Sequence, residues 1–265
     1  MRHHLERIAL ISDVHGNLTA LEAVLEDIEA RGIERIFNLG DYVGKGPRGK
    51  EVIDLCRQRC EVNVQGNWDD FLPDPDRGFD SEGFAWWLGQ LSEGQAEWLR
   101  ALPFCHDFLI SGRRARVFHA SAVSVHRRIL FDHDEAEFLE LFQNTPATGE
   151  DGPPPTLVGY GDTHDPFYEV DRERRTLFNT GSVGNSMDDA TPVYVILEGV
   201  LDSAEEAPFS VQFVRVPYDF EAEIAVAAEM GMPELDGYIS ELRHGVYRSY
   251  VGTDRTPSYH RGRGV

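Results

Sequence analysis

Past the middle of the chain, the hexapeptide GDTHDP (161–166) sets an aspartate and a histidine two residues apart in a glycine- and proline-bounded loop. Asp162 and His164 both carry metal-binding atoms, and in extended backbone residues i and i+2 point the same way. The same residue types close four other apolar runs. RIALISDVHG carries Asp13 and His15, RIFNLGD ends in Asp41, CEVNVQGN ends in Asn67, and RARVFHAS carries His119. Carboxylates, imidazoles and an amide, without a thiolate, suit a hard or borderline divalent ion such as Mn2+, Fe2+ or Zn2+. Seven candidate ligands exceed what one four-coordinate ion needs. A carboxylate shared between two close ions is the natural use of the surplus, and such pairs activate water and clamp phosphoryl oxygens.

Such a cluster has to be assembled by strands whose ends meet. Asp13 and Asp41 are 28 residues apart, Asp41 and Asn67 26, each about one strand–helix unit. RIALISD reads as a strand. Residues 17–31 read as a helix, with Leu18, Leu21, Leu25 and Ile28 at helical spacing, Asn17 or Thr19 as N-cap and Gly32 closing it. RIFNLGD, RGKEVIDLCRQR and CEVNVQGN then read as strand, helix and a third, shorter strand ending in Gly-Asn. That alternation implies parallel strands with right-handed crossovers, which brings their ends to one edge, where open α/β sheets bind ligands. Gly16, Gly40, Gly44 and Gly66 flank the candidates and permit tight turns.

The second half is richer in hairpins. Residues 81–102 read as helical, their clustered tryptophans as core packing. FCHDFLIS and RARVFHAS pair as a hairpin, 134–143 is a helix, and TPATGEDGPPP is a loop. TLVGY is a strand, PFYEVDRERRTLFNTG a hairpin, and PVYVILEG and FSVQFVRVPY two more strands before helices at 219–230 and 233–244. Residues 1–245 form a single α/β domain in this reading, and 246–265 a basic, partly disordered tail.

Forty-six acidic against 25 basic residues give a formal charge of −21 among 265 residues. Phosphate-backbone contacts need clustered Lys and Arg, so a nucleic-acid polymer is a poor partner and a small phosphorylated metabolite or nucleotide a better one. No apolar run is long enough to span a bilayer, and the N-terminus lacks a signal-peptide pattern. Cys56, Cys60 and Cys105 are odd in number and lack ribbon spacing, which suits incidental thiols in a reducing cytoplasm.

SDVHGN, GDYVGKGP, GNWDD, FHAS and GDTH resemble, in order, the five motifs of the calcineurin-like metallophosphoesterases. NTGSVGNSMDD and the VYVIL that follows resemble the next segment of the small bacterial and archaeal phosphodiesterase-type members. The resemblance implies a four-layer αββα sandwich, two mixed β-sheets flanked by helices. It also implies two divalent ions, Mn2+ first, with Fe2+, Zn2+ or Ni2+ as alternatives. Asp13, His15 and His164 would hold one, Asn67 and His119 the other, and Asp41 would bridge them. The implied activity is hydrolysis of a small phosphodiester, phosphomonoester or nucleotide anhydride by a hydroxide shared between the ions, centred on Asp41, Asn67 and His119. The rival class is a catalytically inactive member that serves as a protein-interaction scaffold. The ligand types retained here favour the enzyme.

Two residues depart from the pattern. Asp162 stands where the family usually has a second-ion histidine. It either ligates, shifting that site toward harder ions, or turns away to cap its loop. Trp68 stands where many members have a histidine that assists the leaving group. An indole cannot serve as a general acid, so leaving groups that need little protonation are expected; the ring either stacks a substrate base or packs on the helix of 81–100. Lys45 either neutralises a substrate phosphate or is a solvated loop residue. Arg127 and Arg128 are further candidates for phosphate, and His126 for the missing acid. GDYVGK is one residue short of a P-loop, and TGSVGN lacks the Gly-x-Ser-x-Gly of a nucleophile elbow.

Overall fold

Residues 4–74 and 81–248 are described by the computed structural model. The opening run folds as β1 (Glu6–Ile11), α1 (Leu18–Ala30), β2 (Arg35–Asn38), α2 (Gly49–Arg59) and β3 (Val62–Asn63), with β1, β2 and β3 parallel. Alternate residues of β1 serve different cores. Ala9 and Ile11 pack with Leu21, Val24 and Ile53 of the two helices, while Ile8 and Leu10 face the second sheet. Asn17 wins the N-cap of α1, accepting from Ala20 N.

The chain continues through α3 (Asn67–Phe71), α4 (Glu82–Leu88), α5 (Glu93–Arg100), β4 (Cys105–Ile110), β5 (Arg113–Phe118), α6 (Glu135–Leu141) and β6 (Leu157–Tyr160). It ends with β7 (Phe167–Val170), β8 (Thr176–Asn179), β9 (Val193–Gly199), β10 (Ser210–Arg215), α7 (Phe220–Glu229) and α8 (Leu235–His244). Two five-stranded mixed sheets result, β10-β9-β1-β2-β3 and β4-β5-β6-β8-β7. Between them Ile8, Leu10, Phe37, Val117, Leu157 and Phe178 are buried in one apolar cluster, each burial stabilising by ~1.5–3 kcal/mol. Helices cover the outer faces, so the two-sheet sandwich expected from the motifs is the fold.

Two expectations are corrected. Residues 81–102 form two helices: Gly89 caps α4, and Ser92 with Gln95 builds a capping box that starts α5. The third strand is only two residues long, because after Val64 the backbone turns to Pro103, with Gln65 N donating to its carbonyl at 2.9 Å.

α7 and α8 share a small core of Ile224, Ala227, Met232, Tyr238 and Leu242. Glu223 fastens them to the first sheet's helices. Buried, it accepts from Thr19 Oγ1 at 2.6 Å and pairs with Arg48. Residues 246–248 of the expected tail follow α8; residues 249–265 of it lie outside the described residues.

Candidate metal centre

The carboxyl ends of β1, β2, β5 and β6 and the start of α3 meet at one edge. Asp13, Asp41, Asn67, His119, Asp162 and His164 lie there or in the turns just beyond. Ten non-glycine residues among those described have positive φ, and six of them are here: Asp13, His15, Asp41, Lys45, Asp162 and His164, at 48–61°. Left-handed backbone costs a residue with a side chain on the order of 1–3 kcal/mol and persists only where the surroundings impose it. Cross-links between the loops impose it. Asp13 N donates to Gly40 O (3.0 Å), His15 N to Asp41 O (2.9 Å) and Gly184 N to Asp13 O (2.9 Å). Gly66 and Gly161 allow the approach, since a Cβ would come within 2.1 Å of Asp41 Oδ1 at the first and 2.5 Å of Asp13 Oδ2 at the second.

The three histidines are oriented alike. Nδ1 of His15 donates to Val43 O at 3.0 Å, that of His119 to Leu39 O at 2.8 Å, and that of His164 to Asn185 O at 2.6 Å. A carbonyl on Nδ1 fixes the proton there and leaves a lone pair on Nε2. Nε2 of His15 then faces Nε2 of His164 at 3.2 Å, with Asp13 Oδ1 3.1 Å from the latter. Two lone pairs so placed repel unless a cation sits beside both. Asp41 Oδ2 lies 3.4 Å from His15 Nε2 and 3.5 Å from His119 Nε2, between two ligand groups. Within each group, Asp13–His15–His164 and Asp13–Asp41–His119, the candidate atoms lie within 4.8 Å of one another. Asp13 Oδ1, Asn67 Oδ1 and His119 Nε2 are buried with no hydrogen-bond partner. Buried polar atoms are rarely left so. Converging anionic oxygens and neutral imidazoles, orphaned away from solvent, fit divalent cations.

The electrostatics agree. Burial alone would raise the Asp13 carboxyl, yet His164 and His119 hold it down to about 2. Burial alone would lower His119, yet Asp41 and Asp13 push it up to about 10. Without an ion, the protonated His119 balances Asp41 and Asp13, a positive charge that a divalent cation would take over.

A sequence model of the calcineurin-like phosphoesterase superfamily domain matches residues 7–200, most of the chain. The chain belongs to that superfamily. A solved metallophosphoesterase from Sphaerobacter thermophilus is 29% identical, with a TM-score of 0.71 over 92% of this chain and 100% of its own. A hypothetical protein from Pyrococcus horikoshii shares the fold at 19% identity, with a TM-score of 0.72 over 91% of this chain and 99% of its own. An uncharacterized protein of Methanocaldococcus jannaschii is 28% identical over 86% of this chain and 94% of its own length. The superfamily uses divalent metals, and a hydrolase of the metallophosphoesterase class follows.

Asp162, where calcineurin-like proteins were expected to show histidine, faces inward rather than capping its loop. Its Oδ1 is 3.8 Å from His119 Nε2 and accepts from Asn67 Nδ2 at 3.2 Å. Arg128 grips it bidentately, Nε to Oδ2 at 3.0 Å and Nη2 to Oδ1 at 2.8 Å. Arg128 is therefore committed first to Asp162, and Asp162 both orients Asn67 and borders the second group. Replacing Asp162 by alanine leaves Arg128's charge unopposed beside that group. If the centre takes two Mn2+, the second step of a calorimetric titration then weakens about 10- to 100-fold; three equal titrations for wild type, Asp162→Ala and Asp162→His would leave Asp162 without a role in it.

The other candidates separate. Arg127 pairs with Glu137 and Glu140 on α6 at 3.2 and 3.3 Å. His126 Nε2 lies 2.7 Å from Asp70 Oδ2. Trp68 packs on Phe71 and Trp87, presents its ring to His15 with centroids 5.8 Å apart, and fills the space beneath Gly44. Packing on the tryptophan-bearing helices is thus its observed role. Lys45 is not solvated. It is 6% exposed, with Nζ 3.5 Å from His164 Nε2 and 5.5 Å from the Tyr247 ring centroid. Burial holds its ammonium down to about 8.

Three supporting residues went unread in the sequence. Asp69 is fully buried and accepts from Asp41 N (2.7 Å), Gly66 N (2.8 Å) and Tyr42 N (3.1 Å), pinning the Asp41 turn to α3. Burial and Asp41 push its carboxyl up to about 7. Its spacing from Gly66, three residues into GNWDD, is that of a capping box and was the available signal. Asn185 and Glu241 are the others, and nothing local marks them.

Proposed function

We propose that this protein is a two-metal phosphoesterase acting on a small phosphodiester, phosphomonoester or nucleotide anhydride, with Mn2+ its foremost cofactor. The observation that carries the reading is the face-to-face placement of His15 and His164 Nε2 beside the orphaned Asp13 Oδ1. Asp13, His15, Asp41 and His164 would hold one ion; Asp41, Asn67, His119 and Asp162 the other. Divalent cations there supply Lewis-acid polarisation of a phosphoryl oxygen and acidify coordinated water toward a pKa of ~7.

The chain's own residues do the rest. Trp68 N donates to Asp41 Oδ1 at 2.9 Å, so the carboxylate cannot rotate and its Oδ2 stays aimed between the groups. Asp162 turns the Asn67 amide so that Oδ1 points into the centre. Lys45, a buried cation with no carboxylate within ion-pair distance among the described residues, sits where a phosphoryl oxygen would arrive, and its charge offsets that of the substrate. Trp68 walls His15 off from water and offers no titrating proton, which favours nucleotide anhydrides and activated esters over alkyl esters. The −21 charge repels polymers of phosphate more than single metabolites. Cys56, Cys60 and Cys105 are all unpaired, in keeping with a reducing cytoplasm. Among the described residues no helix is long and apolar enough to cross a membrane. A protein-interaction scaffold would gain nothing from six left-handed residues converging on orphaned acceptors.

Hydrolysis of bis(p-nitrophenyl) phosphate, before and after chelation, tests the proposal. Chelation lowers the rate at least about 100-fold, and Mn2+ restores it better than Zn2+. Full activity in metal-stripped protein, or no divalent binding at all, would defeat the reading. A panel of cyclic nucleotides, monoesters and dinucleoside polyphosphates with Mn2+ then ranks the substrates.

A further inference from the structure

Every candidate ligand lies between residues 13 and 164, inside the span that the superfamily domain covers. The orientation of one of them is set from outside it. His164 Nδ1 lies 2.6 Å from the carbonyl oxygen of Asn185 and 3.1 Å from its side-chain Oδ1. The amide's other end, Nδ2, donates to Glu241 Oε2 at 2.8 Å. Glu241 belongs to α8, some 40 residues beyond the matched domain, and is 1% exposed. Arg248, just after α8, donates from Nε and its backbone N to Glu241 Oε1 (3.0 and 2.9 Å) and from Nη2 to Oε2 (2.8 Å).

An amide in such a position has two orientations, related by exchange of its oxygen and nitrogen. With Oδ1 toward His164, acceptor meets the Nδ1 proton and donor meets carboxylate. With Nδ2 toward His164, donor meets donor, and at the far end carbonyl oxygen meets carboxylate. A carboxylate accepts only, so Glu241 forbids the second orientation. Asn185 is further held by its backbone N, which donates to Ser182 Oγ at 2.8 Å; that hydroxyl in turn donates to Asp13 O at 2.7 Å.

We propose that Glu241 is a positioning residue of the first metal site, anchoring Asn185 so that its backbone carbonyl and side-chain oxygen together keep the proton of His164 on Nδ1 and its Nε2 lone pair aimed at the ion. The helical pair α7–α8 is then a working part of the centre rather than an appendage to it. The inference rests on the metal reading above. Outer partners of metal-bound histidines carry affinity in this way, and their loss costs about 10- to 100-fold.

The test is stepwise Mn2+ calorimetry on the full chain, with 15N NMR of the histidine rings in metal-free protein. Glu241→Ala unpins Asn185 and with it the carbonyl on Nδ1, so it weakens the tighter Mn2+ step about 10- to 100-fold, leaves the weaker step within about 2-fold, and turns the single Nδ1–H signature of His164 into a tautomer mixture. Glu241→Gln conserves volume and still bonds Arg248, so it keeps the test open should alanine unfold the chain. Its amide can present either end to Asn185, and the His164 signature broadens toward the same mixture with a smaller affinity loss. A role in packing alone would lower the melting temperature without moving the tautomer ratio or separating the two steps. Either of those results overturns the inference while leaving the metal reading intact. Wild-type protein that binds no Mn2+ overturns both.

Discussion

Asp41→Asn lowers kcat on a nitrophenyl diester by about 10³-fold or more, the largest effect expected of any single substitution in this protein. Loss of one stabilising donor alone costs an enzyme about 10²- to 10³-fold, and Asp41 does more. Its Oδ2 stands between both ligand groups, 3.4 Å from His15 Nε2 and 3.5 Å from His119 Nε2. An amide there is neutral, so each cation loses half a shared charge, and in one of its orientations it turns N–H groups toward them. The fold is spared, because an asparagine Oδ1 still accepts from Trp68 N and the backbone still donates to Asp69. Circular dichroism and thermal melts should match wild type while Mn2+ binding falls at both steps. Activity within about tenfold of wild type would remove Asp41 from its shared position.

Lys45→Met carries the second largest effect and shifts two measurements in opposite directions. Methionine keeps the length and loses the charge. For a dianionic monoester or an anhydride, kcat/KM falls about 100-fold, in the range of one electrostatic contact to developing phosphoryl charge. For a monoanionic diester the loss is smaller, because less charge awaits compensation. Stability moves the other way. A buried ammonium without a carboxylate partner among the described residues bears a desolvation cost that an apolar side chain does not, so the melting temperature of Lys45→Met equals or exceeds that of wild type. Stability yielded at a site for the sake of its chemistry is a general pattern. A variant with kcat/KM within about threefold on all three substrate types would show that the substrate does not meet Lys45.

Five short motifs were enough to pick out the residues that converge, because each Asp, His or Asn follows an apolar strand and the strands are parallel or hairpin-paired neighbours. What decides the site's finer behaviour is not local. Nothing in VHRRIL distinguishes Arg128, which grips Asp162, from Arg127, which grips α6. The difference comes from which side of the segment meets the loop of 161–166. Lys45 could be read in the sequence as a phosphate-facing cation or as a solvated loop residue, and what excludes the second is distant: the turn after α8 closes over it, with Arg248 Nη2 reaching Lys45 O at 3.4 Å. The link from Glu241 to Asn185 spans 56 residues, and neither residue has a periodicity that announces it. The break at Gly89 was, by contrast, available locally: Ser92-x-x-Gln95 is a capping box in plain sight.

On the two-metal reading, the left-handed backbone at Asp13, His15, Asp41, Asp162 and His164 bears on how the centre would be charged with metal. Those torsions are locked by amide-to-carbonyl cross-links and by the close fit at Gly66 and Gly161, all of them protein–protein contacts. The receptacle therefore stands ready-made before an ion arrives. Loading resembles filling a socket rather than folding a finger around a bead, so little chain entropy is lost on entry. Ions can then be swapped without unravelling the domain, and cellular supply together with donor hardness selects the occupant.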